Sequence, residues 1–284
     1  MYFVTGASGK LGQLVAAELA QRTAPGSITL GSRDTGKLGS PARQDFKTAI
    51  FDFDKPQTMR EALAGQERLL LISGDTPNEQ RIPQHKAAID AAKAAGVKTI
   101  VYTSFTNASA KSLFTFAKAH AETEAYIKAS GLAYVFLRDN QYAENLANGI
   151  AHAKETGTLA MYGSKGKVAY LPRAGVAFAA ATALLGKSGG NATYEITGPE
   201  AYDAADIAQV LSRKWNKPVT AVELPRETLI AILTGAKLPD FMIEALVSIF
   251  EASAAGEMAA VSSDFEKLTG RKPESLESLL TRTA

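Results

Sequence analysis

The segment Thr5-Gly6-Ala7-Ser8-Gly9-Lys10-Leu11-Gly12 places three glycines at the spacing G-x-x-G-x-x-G. Bare backbone N–H groups at such a turn, with the positive end of a helix dipole behind them, can hold a phosphate or diphosphate. The spacing departs from the common G-x-G-x-x-G dinucleotide fingerprint. Glycines also make ordinary turns, so the flanks matter. The apolar run Tyr2-Phe3-Val4 precedes the turn and a helical run, Leu14 to Ala20, follows it. Strand, turn and helix in that order are what a dinucleotide cradle needs.

Ligands of a doubly wound sheet bind at the carboxyl ends of its strands, so the residues after each strand are the next candidates. Arg33, about twenty residues past the turn, suits a ribose 2′-phosphate, because a guanidinium offers several donors to a dianion. Its neighbour Asp34 suits a free ribose hydroxyl instead, and both residues also fit an exposed turn. In Asp52-Phe53-Asp54 a carboxylate can accept from an adenine amino group and the ring can cover the base; an aspartate N-cap for the following helix is the other reading. Ser73-Gly74 lets the backbone pass close to a nicotinamide ribose, and the polar stretch Asp75 to Gln84 reads as a flexible wall or as plain surface loop. Tyr102-Thr103-Ser104-Phe105 is placed for hydroxyl and ring contacts to nicotinamide or substrate. His120, the one imidazole of the helix that follows, is a proton donor or a satisfied structural histidine. His85, His120 and His152 lie far apart and show no metal-ligand spacing.

The elements that must position these residues alternate along the first half of the chain, the pattern of βαβ units and a parallel sheet. Strands are expected at Tyr2 to Val4, Ser27 to Leu30, Thr48 to Phe51, Arg68 to Ile72, Thr99 to Thr103 and Ala133 to Leu137. Helices are expected at Lys10 to Gln21, Gln57 to Ala64, Glu79 to Ala95 and Leu113 to Ala129, two of them stopping at Gly96 and Gly131. Beyond Asn145 the pattern is mixed: helix from Leu146 to Glu155, loop from Gly157 to Lys167, helix from Val176 to Leu185. A strand at Ala192 to Thr197 returns to the main sheet, and mainly helical sequence follows, interrupted by a strand at Val219 to Leu224. The fold class is therefore α/β: a Rossmann-type doubly wound parallel sheet over residues 1–145, completed near 192–197, and a smaller, mainly helical, discontinuous C-terminal domain within 146–284.

Composition narrows the partners. A chain of 284 residues buries a substantial core without staples. It has no cysteine, which excludes disulfides, thiolate metal sites and a cysteine nucleophile. A net charge of +2 without like-charge blocks argues against a nucleic-acid or membrane surface and for a small-molecule partner. The start directly in a strand, and a longest apolar stretch of only Val176 to Leu185, lead to the expectation of a cytoplasmic protein.

The glycine turn, Arg33, the segment Ala94-Ala95-Gly96-Val97-Lys98-Thr99-Ile100-Val101-Tyr102-Thr103-Ser104, and Ser130 to Tyr134 with Leu137 to Asn145 resemble the NmrA-like branch of the atypical short-chain dehydrogenase/reductases. The likeness runs through Tyr194 to Glu200. It implies an NADPH-binding Rossmann domain, with NADH less favoured, and a substrate cleft beside a small second domain. By position, Gly6 to Gly12 and Arg33 would hold the diphosphate and 2′-phosphate, Ser73 and Gly74 the ribose side, and Asn140, Gln141 and Tyr142 the nicotinamide end. Phe105, Tyr142 and Asn145 would face the substrate, with His120 and Tyr142 as the groups nearest the chemistry.

Active short-chain dehydrogenases carry a Tyr-x-x-x-Lys pair on the helix after the fifth strand, and this chain has none. Phe116 and His120 stand where the pair would be. General acid–base help is worth about a hundred- to ten-thousandfold in rate, so alcohol or ketone redox is disfavoured. A quinone, whose reduced anion is delocalised, tolerates the loss. The expected activity is hydride transfer from NADPH to a quinone-like acceptor, and the alternative is a non-catalytic NADP(H)-binding regulator with a protein partner. A homodimer is compatible with either.

Overall fold

The computed structural model describes residues 1–39, 46–186 and 190–283. In chain order the elements are β1 (Tyr2–Val4), α1 (Lys10–Ala20), β2 (Ile28–Ser32), β3 (Lys47–Ile50), α2 (Pro56–Leu63), β4 (Arg68–Leu71), α3 (Asn78–Ala94), β5 (Thr99–Phe105), α4 (Ala117–Ser130) and β6 (Ala133–Asp139). They continue with α5 (Ala147–Thr156), β7 (Thr158–Met161), α6 (Arg173–Leu185), β8 (Ala192–Ile196), α7 (Ala204–Trp215), β9 (Thr220–Glu223), α8 (Arg226–Gly235), α9 (Asp240–Ala254), α10 (Asp264–Thr269) and α11 (Leu276–Thr283).

Seven strands form one sheet in the order β3-β2-β1-β4-β5-β6-β8, and the neighbours from β3 to β6 pair in parallel. This is the doubly wound Rossmann-type sheet expected, with the Ala192 strand joined at its edge. The chain builds outward from β1 in one direction through β2 and β3, and in the other through β4, so the switch point lies between β1 and β4. The central strands are covered on both faces, which is why Leu69, Leu70 and Leu71 are all fully buried. Phe3, Leu69, Leu71, Ile100, Tyr102 and Phe136 share one core with Met59 and Leu63 of α2 and Ala88, Ile89 and Ala92 of α3. On α6, the buried residues Val176, Ala177, Ala180, Ala181 and Leu184 lie on the helix that packs against α1.

The chain forms two compact units: residues 1–105, 119–139 and 173–194 in the first, and 106–118, 140–172 and 195–284 in the second. This division is more interleaved than a break after Asn145. The first unit owns the sheet from β1 to β6. The second contains the parallel pair β7 and β9, with Thr158 opposite Thr220. The stretch read as loop from Gly157 to Lys167 thus includes a strand, whose partner lies some sixty residues away and leaves no local signal. Helix α4 starts at Ala117 rather than Leu113. Glu257 takes hydrogen bonds from the Leu113 N–H, at 2.9 Å, and from the Ser112 hydroxyl, and Ser248 Oγ receives the Thr115 N–H at 3.1 Å, holding these residues in turns. Gly96 and Gly131 end their helices with φ of +80° and +78°, the left-handed conformation expected of them.

Candidate active site

The glycine turn leaves β1 and enters α1 at the switch point. Gly6 has φ of +59°, and Gly9, in extended conformation, is the N-cap of α1 with no side chain capping the first turn. The Ala7 N–H is tied to the Gly31 carbonyl at 3.0 Å, and the Gly9 N–H to the Gly6 carbonyl at 2.9 Å. Ser8 Oγ lies 2.9 Å from Ser32 Oγ. A β-carbon on Gly12 would come 2.2 Å from the Gly6 carbonyl oxygen, so only glycine lets the helix start this close to the turn. Gly6, Gly9 and Lys10 are exposed while Ala7, Leu11 and Gly12 are buried. Open amides on a rigid, dipole-backed turn fit a dinucleotide diphosphate.

Arg33 is exposed just past β2. Asp34, its rival for the ribose, accepts from the Gly36 N–H at 2.9 Å as the cap of a short 3-10 turn. Asp54, past the neighbouring strand β3, has its pKa lowered, first by hydrogen bonds from Gln84 and Gln80 and to a smaller extent by the Arg33 charge. Asp52 is half-buried and accepts from the Asp54 N–H at 3.1 Å, so it closes its own turn; the N-cap of α2 is Lys55. The Phe53 ring, placed to cover a base by its position, packs edge-on to Phe51 at 5.4 Å and against His85 at 5.8 Å. The stretch Asp75 to Gln84 is not a loop wall: α3 begins at Asn78, and the Gln84 amide donates to Asp54 at 2.8 Å.

The hydroxyls at the end of β5 are committed inward. Thr103 Oγ1 accepts from the Ser73 N–H at 2.9 Å, and Ser104 Oγ donates to the buried Glu124 at 2.7 Å. Glu124 is also held by Arg138, at 2.9 Å through Nε and 2.7 Å through Nη2. His120 lies 2.9 Å through Nδ1 from the Tyr102 hydroxyl, and its ring is 6.0 Å from the half-buried Phe105. Burial, then the Arg81 charge, holds the His120 pKa well below the usual range, and burial raises that of Tyr102. His120 is therefore neutral and Tyr102 is an ordinary, unactivated phenol. Phe116 precedes α4 and packs 5.7 Å from Phe114 and 6.4 Å from Phe241.

In the second unit the geometry redirects two expected cofactor residues. Asn140 is 1 % exposed; its Nδ2 donates to the Met258 carbonyl at 3.0 Å and its Oδ1 accepts from the Gln141 N–H at 2.8 Å. The Gln141 amide donates to Ser253 Oγ at 2.8 Å. Both side chains thus make hydrogen bonds within their own unit. Tyr142 is half-buried and bridges in parallel to Leu171, and Asn145 is exposed.

Sequence reasoning passed over His85. It is fully buried, with Nε2 3.1 Å from the Gly74 nitrogen and Nδ1 2.9 Å from Thr123 Oγ1. Its signal was faint: Arg81 and His85 sit on the same helical stripe as buried Ala88 and Ala92, two polar residues where apolar ones belong. Burial, then Arg81, pushes its pKa from 6.5 down to about 3, and burial lowers that of Arg81 itself to about 10.

A doubly wound sheet with an open glycine cradle at its switch point defines a dinucleotide-binding α/β protein. Residues 6–186 match the NAD(P)H-binding family, and the chain is 33% identical to quinone oxidoreductase 2 of Escherichia coli (strain K12) over 97% of its own length and 96% of that protein's. It is 27% identical to an NAD(P)H azoreductase of Xenophilus azovorans, over 95% of this chain and 93% of that one. The crystal structure of a Citrobacter sp. triphenylmethane reductase complexed with NADP(H) superposes over 100% of both chains, with a TM-score of 0.93 and 30% identity. The chain belongs to the NmrA-like group of NAD(P)H-binding proteins. It is an NAD(P)H-dependent oxidoreductase. Among the described residues no helix is long and apolar enough to cross a membrane.

Proposed function

We propose that this chain transfers hydride from NADPH to a quinone or a similarly conjugated acceptor, and that it does so mainly by positioning. The observation that carries the reading is the placement of His120: buried and engaged with Tyr102, on the helix where a dehydrogenase would keep an activated phenol and its lysine. No strong proton donor stands there, so the acceptor has to be one whose reduced anion is stable enough to take its proton from water. The names of the quinone oxidoreductase and the azoreductase, both acting on conjugated acceptors, support the same class.

Bound NADPH would supply a hydride, leaving NADP+ and the acceptor anion. The chain's part is to hold and exclude. Within Gly6 to Gly12 the amides other than those of Ala7 and Gly9 would bind the diphosphate, and Arg33 offers its guanidinium to the 2′-phosphate. Ser73 and Gly74 border the nicotinamide ribose, and Phe105 offers an apolar face to the acceptor ring. Holding two reactants at near-attack distance is itself a large rate term.

The test is NADPH oxidation by the purified protein with a panel of quinones, azo dyes and cationic triphenylmethane dyes, beside simple ketones. Turnover with the conjugated acceptors and none with ketones is the expected result. Binding of NADPH without oxidation by any acceptor would replace this reading with a regulatory one.

A further inference from the structure

The three backbone N–H groups that follow β4 are received by side chains rather than by a strand. Ile72 donates to Thr5 Oγ1 at 2.9 Å, Ser73 to Thr103 Oγ1 at 2.9 Å, and Gly74 to His85 Nε2 at 3.1 Å. Thr5 follows β1, Thr103 lies in β5 and His85 in α3, so three separate elements grip one turn.

The hydrogen-bond roles along this grip are determined. An Nε2 that accepts carries no proton, so the proton of the neutral ring sits on Nδ1. Nδ1–H then donates to Thr123 Oγ1 at 2.9 Å, and that hydroxyl donates to the Ala119 carbonyl at 2.7 Å. Protonation of His85 would remove the lone pair that holds Gly74, and burial beside Arg81 keeps the ring neutral. Phe53 and Tyr102 pack on the ring at 5.8 and 5.7 Å and fix its plane.

With all three amides received inside the unit, the backbone path of the turn is fixed. The Ser73 hydroxyl is turned inward as well, hydrogen-bonded to the buried Tyr102, so what the turn brings to a cofactor is the placement of its backbone. We infer that His85 is a positioning residue of the cofactor site, holding the Ser73–Gly74 backbone in place through the Gly74 N–H. The inference rests on the assignment of Ser73 and Gly74 to the nicotinamide side made above.

The test combines nitrogen NMR of the histidines in the intact protein with two variants, His85→Phe and His85→Gln. His85 is expected as the Nδ1–H tautomer. His85→Phe, which keeps the ring and removes the acceptor, is expected to weaken NADPH binding and raise its KM about tenfold, the scale of a buried donor left unmade. The KM for the acceptor should stay near that of the wild type. His85→Gln, whose Oε1 can take the Gly74 N–H, should recover most of the loss. An Nε2–H tautomer, NADPH binding by His85→Phe equal to the wild type, or glutamine no better than phenylalanine would overturn the inference. Should His85→Phe fail to fold, the tautomer in the wild type decides. Wild-type protein that binds NADPH but reduces no acceptor would sink the quinone reading alone, since the binding and NMR results still judge His85.

Discussion

Gly12 lies so close to Gly6 that a β-carbon on it would meet the Gly6 carbonyl oxygen at 2.2 Å and the Ala7 Cα at 2.6 Å. Both obstacles are backbone and cannot swing aside. Gly12→Ala is therefore expected to shift the turn, costing about 1–3 kcal/mol of stability, the range for overpacking. NADPH titration should show binding at least about tenfold weaker. Gly26→Ala, with nothing within 4 Å of the added carbon, is the matched control and should leave binding unchanged.

Arg33 is exposed and Asp34 is occupied by the Gly36 N–H. Arg33→Ala should raise the KM for NADPH about tenfold or more, the worth of a charge-assisted contact, while the KM for NADH moves little. Steady-state kinetics with both cofactors checks this; equal losses with NADPH and NADH would move Arg33 away from the 2′-phosphate.

Gln141 bonds Ser253 Oγ at 2.8 Å in a buried setting. Gln141→Ala should lower unfolding stability by about 1–3 kcal/mol, by removing a buried side chain and its hydrogen bond to Ser253, whose hydroxyl keeps only the Ile249 carbonyl. The KM for NADPH should stay within about twofold of the wild type, since no uniform binding contact is lost. A large rise in that KM with unchanged stability would restore Gln141 to the cofactor site.

Glu124 is buried and receives both Arg138 and Ser104. Glu124→Ala removes the buried carboxylate that Arg138 and Ser104 share and should cost about 2–4 kcal/mol in denaturant unfolding, whereas Glu124→Gln, which keeps the shape and one acceptor, should cost less. Equal costs for the two variants would show that packing, not charge, is what Glu124 contributes.

Stability should fall as the medium is acidified below the ordinary histidine range. His85 and His120 have folded pKa values depressed from 6.5, His85 to about 3, while in the unfolded chain both titrate near the ordinary value. The unfolded state therefore binds protons first. The stability from keeping His85 neutral is complete above 6.5 and is lost as the pH falls toward 3, with a slope approaching about 1.4 kcal/mol per pH unit in that window. His120 acts in the same direction. Unfolding curves at about pH 7 and about pH 5 test it, and His85→Gln should remove part of the dependence.

Much of the first unit was legible because its signals are local. Tyr2 to Val4, the glycine turn and the α1 pattern are contiguous, and the central strands β1, β4 and β5 announce themselves as short apolar runs. The same locality explains the failures. β7 depends on Thr220 to Glu223, far along the chain, and the start of α4 depends on Glu257 and Ser248. His85 lies in a good helical pattern, so its burial is visible only once α3, β5 and α4 are packed together.

The sequence by itself pointed to a dinucleotide, since glycines at this spacing between a strand and a helix meet a chemical requirement that acts over a few residues. It also excluded an activated tyrosine–lysine pair, because the residues are missing. Only the tertiary structure decided where polar side chains are spent. Asn140 and Gln141 turn to Met258 and Ser253, and His85 turns to Gly74. A hydrogen bond's partner is set by which elements pack together, and a side chain has the same donors and acceptors whichever one it meets.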